Sequence, residues 1–118
     1  MTDILIIEDN ATVRQLIKSE VRDLADGFHE GSDGAEALAL YRRHKPDWVL
    51  MDLEMKQTDG LTATRQIIAA FPQARVCIVT NYDDDFLREE ARRAGAGGFV
   101  VKADLYLLRE ILTVPNAR

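Results

Sequence analysis

Cysteine, proline and tryptophan are scarce: the chain has one, three and one of them in 118 residues. A single cysteine cannot form an internal disulfide. Cys77 lies inside an apolar run, where a thiol acts as a small buried hydrophobe, and a reducing cytoplasm is the expected setting. No apolar run approaches the roughly 18 residues that cross a bilayer. The opening MTDILIIEDN lacks the positive charge of a signal peptide, so neither a membrane span nor a secreted product is expected. Positive charge is short overall, with 15 Lys and Arg against 20 Asp and Glu and a net charge of −5. Phosphate contacts need a basic face, so direct nucleic-acid binding by this segment is not expected, whereas cations are mildly favoured. Linkers, low-complexity stretches and repeats are lacking too. What is present is an ordinary globular composition, 47% hydrophobic and 30% charged, at a length that suits one domain with one core.

The stretch DWVLMD, residues 47–52, organises the rest. Trp48, Val49, Leu50 and Met51 run uninterrupted between two aspartates, the pattern of a parallel strand covered by helices on both faces. Ligands of open parallel sheets bind outside the carboxyl ends of the strands, which makes Asp52 the first candidate. Apolar runs predict further strands at 4–7, 28–32, 75–80 and 99–101, the second polar enough to be an edge. Between them, spacings of three and four predict helices. The first covers 11–25, with Val13, Leu16, Ile17, Val21 and Leu24 on its apolar face and Gly27 as its stop. Others run from the Asp33-Gly34 turn to His44, over 60–71, after Asp83, Asp84 and Asp85 up to Gly95, and over 103–112. The aspartate triplet reads as a helix start, where the dipole favours negative charge. Pro46 and Pro72 break the helical patterns that precede them. Strand and helix alternation implies an α/β fold, a five-stranded parallel sheet in the flavodoxin-like order 2-1-3-4-5 with helices on both faces.

In that order the ends of neighbouring strands bring Glu8, Asp9, Asp52, Thr80 and Lys102 to one crevice. Three carboxylates so close repel by several kcal/mol unless a cation is present. All-oxygen ligands in a shallow, wet site suit magnesium better than calcium. A hydroxyl and an ammonium beside the metal are suited to the oxygens of a phosphoryl group, and the chemistry indicated is phosphoryl transfer to a carboxylate. His29 and His44 fall away from the crevice, as surface residues.

These residues also carry a resemblance. IIEDN, VLMDLEM followed by DG, the strand-ending Thr80 and GAGGFVVKA resemble the motifs of the receiver domain of two-component response regulators, in their order and at their spacings, over essentially the whole chain. The resemblance implies that residues 1–118 form one receiver module with no output domain in the chain. It implies that Asp52 is the phosphoacceptor, that Glu8, Asp9 and Asp52 with the backbone carbonyl of Glu54 hold magnesium, and that Thr80 and Lys102 contact the phosphoryl group. Thr80 and Phe99 would form the switch, although Phe99 alone could equally be plain core. Glu54 and Tyr82, two places after Asp52 and Thr80, would tune how long the phosphoryl group lasts. The implied partner is a sensor histidine kinase. The surface of the fourth helix, fifth strand and fifth helix would serve dimerisation or an output domain. The segment from Asn81 to Leu108 resembles receivers fused to LuxR-type DNA-binding domains. Lys56 and Ala103 stand where the family commonly has proline, and at Lys56 a fixed backbone angle is lost in the loop after Asp52.

Three other functions are weaker. A haloacid dehalogenase-type phosphatase wants a second aspartate two residues after the nucleophile, where this chain has Glu54, and a cap domain. A flavodoxin-like cofactor carrier wants a Ser, Thr and Gly-rich phosphate loop in place of EDNATV. A receiver-like binding module that works without phosphorylation has no need of the complete acidic set.

Overall fold

The computed structural model describes residues 2–113. Its sheet consists of β1 (Asp3–Ile7), β2 (Gly27–Gly31), β3 (Trp48–Met51), β4 (Val76–Thr80) and β5 (Gly98–Val101), all parallel and in the order 2-1-3-4-5. The predicted fold class and topology are those observed. The helices are α1 (Ala11–Val21), α2 (Ala37–His44), α3 (Gly60–Ala70), α4 (Asp85–Ala94) and α5 (Leu108–Leu112).

Alternation along each strand divides the core into two layers. Leu5, Ile7, Val49, Met51, Val76 and Ile78 pack with Tyr41, Ala63, Ile67 and Ala91 of α2, α3 and α4. On the other face Ile4, Ile6, Trp48, Leu50, Cys77 and Val79 pack with Ile17, Val21, Leu108 and Leu112 of α1 and α5. Four strand residues of β3 are buried because helices cover both of its faces, and this explains its unbroken apolar run. Each fully buried aliphatic side chain contributes about 1.5–3 kcal/mol. Burial pushes the Cys77 thiol up to about 12.

Polar side chains start the helices. Asn10 caps α1 by accepting from Val13 N at 3.1 Å, and Asp59 caps α3 by accepting from Thr62 N at 2.8 Å. Asp84 accepts from Phe86 N and Leu87 N at 2.8 and 3.2 Å, so the aspartate triplet is the helix start that its position predicts. Asp84→Ala is expected to cost about 1 kcal/mol in urea unfolding and to loosen amide protection in the first turn of α4. Gly95 ends α4 with φ 104, the left-handed conformation that glycine adopts readily.

Three predicted helices are shorter than their patterns, one of them because Gly34–Glu36 forms a 3-10 turn ahead of α2. The 11–25 helix ends at Val21 and continues as a 3-10 turn, Arg22–Leu24, so Gly27 begins β2 instead of stopping a helix. Tertiary anchors cause this: Asp26 N donates to Thr2 O at 2.7 Å, and Arg109 holds both carboxylate oxygens of Asp23 at 2.7 and 2.8 Å. Leu16, assigned to the apolar face, is 55% exposed. The 103–112 helix begins as a 3-10 segment, Lys102–Leu107, with a kink at Asp104, and only Leu108–Leu112 is α-helical. Residues 114–118 of the tail lie outside the described residues. Among the described residues no helix is long and apolar enough to cross a membrane.

Candidate functional site

Parallel pairing places the carboxyl ends of β1, β3, β4 and β5 side by side, and backbone hydrogen bonds fix the residues just beyond them. Glu8 N donates to Gly31 O at 3.0 Å and Asp52 N to Ile7 O at 2.9 Å, so both residues continue the sheet's hydrogen bonding before the chain turns away. Glu8, Asp9 and Asp52 thereby offer carboxylate oxygens that all lie within 4.8 Å of one another. Lys102, just past β5, brings its ammonium to 2.7 Å from Glu8 Oε1 and 3.3 Å from Asp52 Oδ1. Thr80 closes β4 and is buried, its hydroxyl accepting from Tyr82 N at 3.3 Å. These side chains, with Glu54 and Tyr82, line one cavity of about 220 Å³.

Negative charge is in excess at this rim. Glu8 is 2% exposed and Asp52 6%. Burial raises the Glu8 carboxyl above its usual range, and the pull of Lys102 and of Asn10 N–H only partly offsets this. Asp52 is raised for the same reason, with Lys102 again opposing. Burial disfavours the Lys102 ammonium, but Glu8 and Asp52 outweigh it and leave the lysine above its ordinary value. One ammonium thus faces three carboxyl groups. The Lys102 ammonium is the one partner found for the buried Glu8 Oε1 among the described residues. Three carboxylates with a single ammonium among them are an all-oxygen donor set that a hard divalent ion would satisfy. Magnesium holds oxygens at about 2.1 Å and hence up to about 4.2 Å apart, close to the span present here. The donor set therefore fits that ion.

Other predicted residues take up positions around this centre. Glu54, beside the Tyr82 phenol, favours its protonated form and so raises its pKa. Phe99 is half-buried against the layer containing Ile78, with the Arg88 guanidinium 4.6 Å over its ring. His29 and His44 lie apart from the crevice and keep partial exposure, as expected, but they pair with each other, which the sequence does not show. Both are half-buried and stacked with ring centroids 3.7 Å apart, His29 Nε2 lying 3.8 Å from Asp3 Oδ2. Burial lowers His44, and His29 and Arg43 lower it further. Arg14 is a supporting residue that nothing in its local sequence marks. Its Nη1 donates to Glu8 O at 2.6 Å while Nε binds Glu30 at 2.9 Å, and this fixes the backbone at the acidic corner.

Residues 4–113 match the response regulator receiver domain family. The chemotaxis protein CheY of Bacillus subtilis (strain 168) is 36% identical over 102 residues, which cover 84% of this chain and 83% of that protein. The oxygen regulatory protein NreC of Staphylococcus haemolyticus (strain JCSC1435) is 36% identical over 117 residues, 94% of this chain but 54% of that longer protein. Among solved structures, the CheX-CheY-BeF3-Mg+2 complex from Borrelia burgdorferi superposes with a TM-score of 0.84 at 26% identity, covering 97% of this chain and 90% of that one.

Proposed function

Since this chain belongs to the response regulator receiver domain family and is thus a phosphoacceptor signalling module of two-component systems rather than a classical enzyme, we propose that Asp52 is the residue that carries the phosphoryl group. The observation that supports this most is the cluster itself: Glu8, Asp9 and Asp52 within 4.8 Å of one another, with Lys102 bridging two of them. The rival phosphatase reading has no comparable support, because the family match spans 4–113 and Glu54 occupies the position where a second aspartate would be needed.

The chemistry can be derived residue by residue. An Asp52 carboxylate oxygen attacks the phosphorus of a phosphohistidine on a sensor kinase, or of a small acyl phosphate. A P–O bond forms as the P–N or P–O bond to the donor breaks, and the leaving group departs on the opposite side. Magnesium, held by Glu8, Asp9, Asp52 and the Glu54 carbonyl, would supply the charge that offsets the phosphoryl oxygens, as a Lewis acid. Lys102 holds one of those oxygens by a charge-assisted hydrogen bond, and Thr80 turns its hydroxyl toward another. Movement of Thr80 leaves room beside Ile78 and Val101, into which Phe99 turns, reshaping the face formed by α4, β5 and α5. Shifting such an equilibrium from 1:99 to 99:1 takes about 5.5 kcal/mol, within reach of a few charge-assisted bonds. The Glu54 and Tyr82 pair stands over the path of an attacking water and sets the phosphoryl lifetime. In this reading the protein is cytoplasmic. The reshaped face serves a homodimer or a fused output domain, such as a DNA-binding one in a longer chain.

Acetyl phosphate with magnesium is expected to add one phosphoryl mass to the wild type and none to Asp52→Asn. Beryllofluoride with magnesium should shift amide resonances around Thr80 and Phe99 only when Asp52 is intact. Identical behaviour of the two proteins would refute the assignment.

A further inference from the structure

The loop between β3 and α3 carries Glu54, yet its own sequence does little to fix it. Lys56 supplies no locked backbone angle, and the bond from Gly60 N to Leu53 O at 3.0 Å ties only the two ends of the loop together. The grip on its middle comes from elsewhere in the chain. Asp33, in the turn after β2, accepts from Gln57 N at 2.9 Å with Oδ2 and from Thr58 N at 3.0 Å with Oδ1, which also takes Ala35 N at 2.9 Å. Bonds from Gln57, Ala35 and Thr58 hold the Asp33 carboxyl below the usual range, so it is ionised at neutral pH. Close approach reinforces the contact: a Cβ on Gly34 would lie 2.4 Å from Thr58 O and 3.1 Å from Asp59 O. The two turns are therefore pressed together backbone to backbone.

The geometry points to Asp33 as a positioning residue for phosphoryl transfer, one that clamps the Gln57 and Thr58 amides and so sets where the Glu54 carbonyl stands relative to Asp52. Asp33 touches neither metal nor phosphoryl group. It acts through the loop, replacing with charge-assisted hydrogen bonds the rigidity that a proline at position 56 would supply. The assignment rests on the proposed magnesium site, since a loop placed for no ligand would have nothing to position.

Magnesium chloride titrated calorimetrically into wild type, Asp33→Asn and Asp33→Ala at a temperature where all are folded tests this. Asn keeps one acceptor oxygen and loses the other; Ala loses both. Magnesium affinity is expected to fall roughly tenfold in Asp33→Asn and further in Asp33→Ala, within the range seen when a ligand's supports are removed. Hydrogen exchange at the Gln57 and Thr58 amides should quicken in the same order. Ile17→Val, a core change in the other layer, should lower the melting temperature and leave magnesium affinity unchanged. Asp33 variants that bind magnesium as tightly as wild type, with or without faster exchange, would overturn the positioning role. A wild-type chain that binds no magnesium would instead overturn the site reading, and this assignment with it.

Discussion

Gly60→Ala is expected to destabilise the fold by more than about 3 kcal/mol, a large share of the roughly 5–15 kcal/mol that holds a domain together. Gly60 is the first residue of α3, and the constraint there is space. A Cβ would stand 2.0 Å from Asp52 O, 2.9 Å from Asp52 C and 3.0 Å from Leu53 Cα. All three are backbone atoms, so no rotamer change relieves the overlap. Either α3 pulls away from the sheet, opening the layer that Ala63 and Ile67 close, or the chain at Asp52 shifts and carries its carboxylate out of the cluster. Urea unfolding measures the first effect, and beryllofluoride binding by the folded fraction measures the second. A loss under about 1 kcal/mol with normal binding would mean that the helix start yields far more easily than its contacts imply.

Lys102→Ala is expected to slow phosphoryl transfer from acetyl phosphate by on the order of a hundredfold or more, the usual consequence of removing one preorganised donor to developing negative charge. In the metal-free protein it should also cost roughly 1–3 kcal/mol at neutral pH, less than a fully enclosed ion pair because the crevice opens to water. The pH dependence has a definite sign. Glu8 and Asp52 have folded-state pKa values above those of the unfolded chain, so the folded protein retains protons that the unfolded one releases. Their favourable contribution is complete below about pH 4 and is lost as pH rises through their folded values. Removing the ammonium raises both further, so the gap between wild type and variant should be small near pH 4 and widest above pH 7. Asp33 and Glu30 run the other way, lowered in the fold and losing their contribution as pH falls below about 4, but they are common to both proteins and cancel in the difference. Thermal unfolding of the two proteins from pH 4 to 8 without magnesium measures that gap. A constant gap would show that Lys102 does not couple to the two carboxyls.

The amount legible in the sequence depended on how far apart the interacting residues lie. DWVLMD announced a covered central strand because burial on both faces leaves no room for a polar residue, and β3 is buried throughout. Convergence of Glu8, Asp9, Asp52, Thr80 and Lys102 followed from strand order alone, since parallel topology sends every carboxyl end to the same rim. The boundary of α1 was not accessible in this way. It is set by Asp26 meeting Thr2 and by Asp23 meeting Arg109, contacts across 24 and 86 residues that no local pattern records. The same holds for Asp33: the Asp-Gly pair signalled a turn, whereas its hold on Gln57 and Thr58 depends on two turns lying side by side at the rim. The histidine stack likewise arises because β2 and the end of α2 face each other, and an isolated histidine in either segment carries no trace of it.

Cys77 gives the chain a built-in reporter. Its sulfur lies in β4 between β3 and β5 with no exposure to solvent, and a thiol near 12 is protonated at any physiological pH. Thiol-directed oxidants and alkylating agents therefore cannot reach Cys77 in the folded molecule. They gain access only when the middle of the sheet parts, so the rate at which a thiol reagent labels this protein counts excursions to the open state. Comparing that rate with and without magnesium would reveal how strongly occupancy of the rim holds the interior shut.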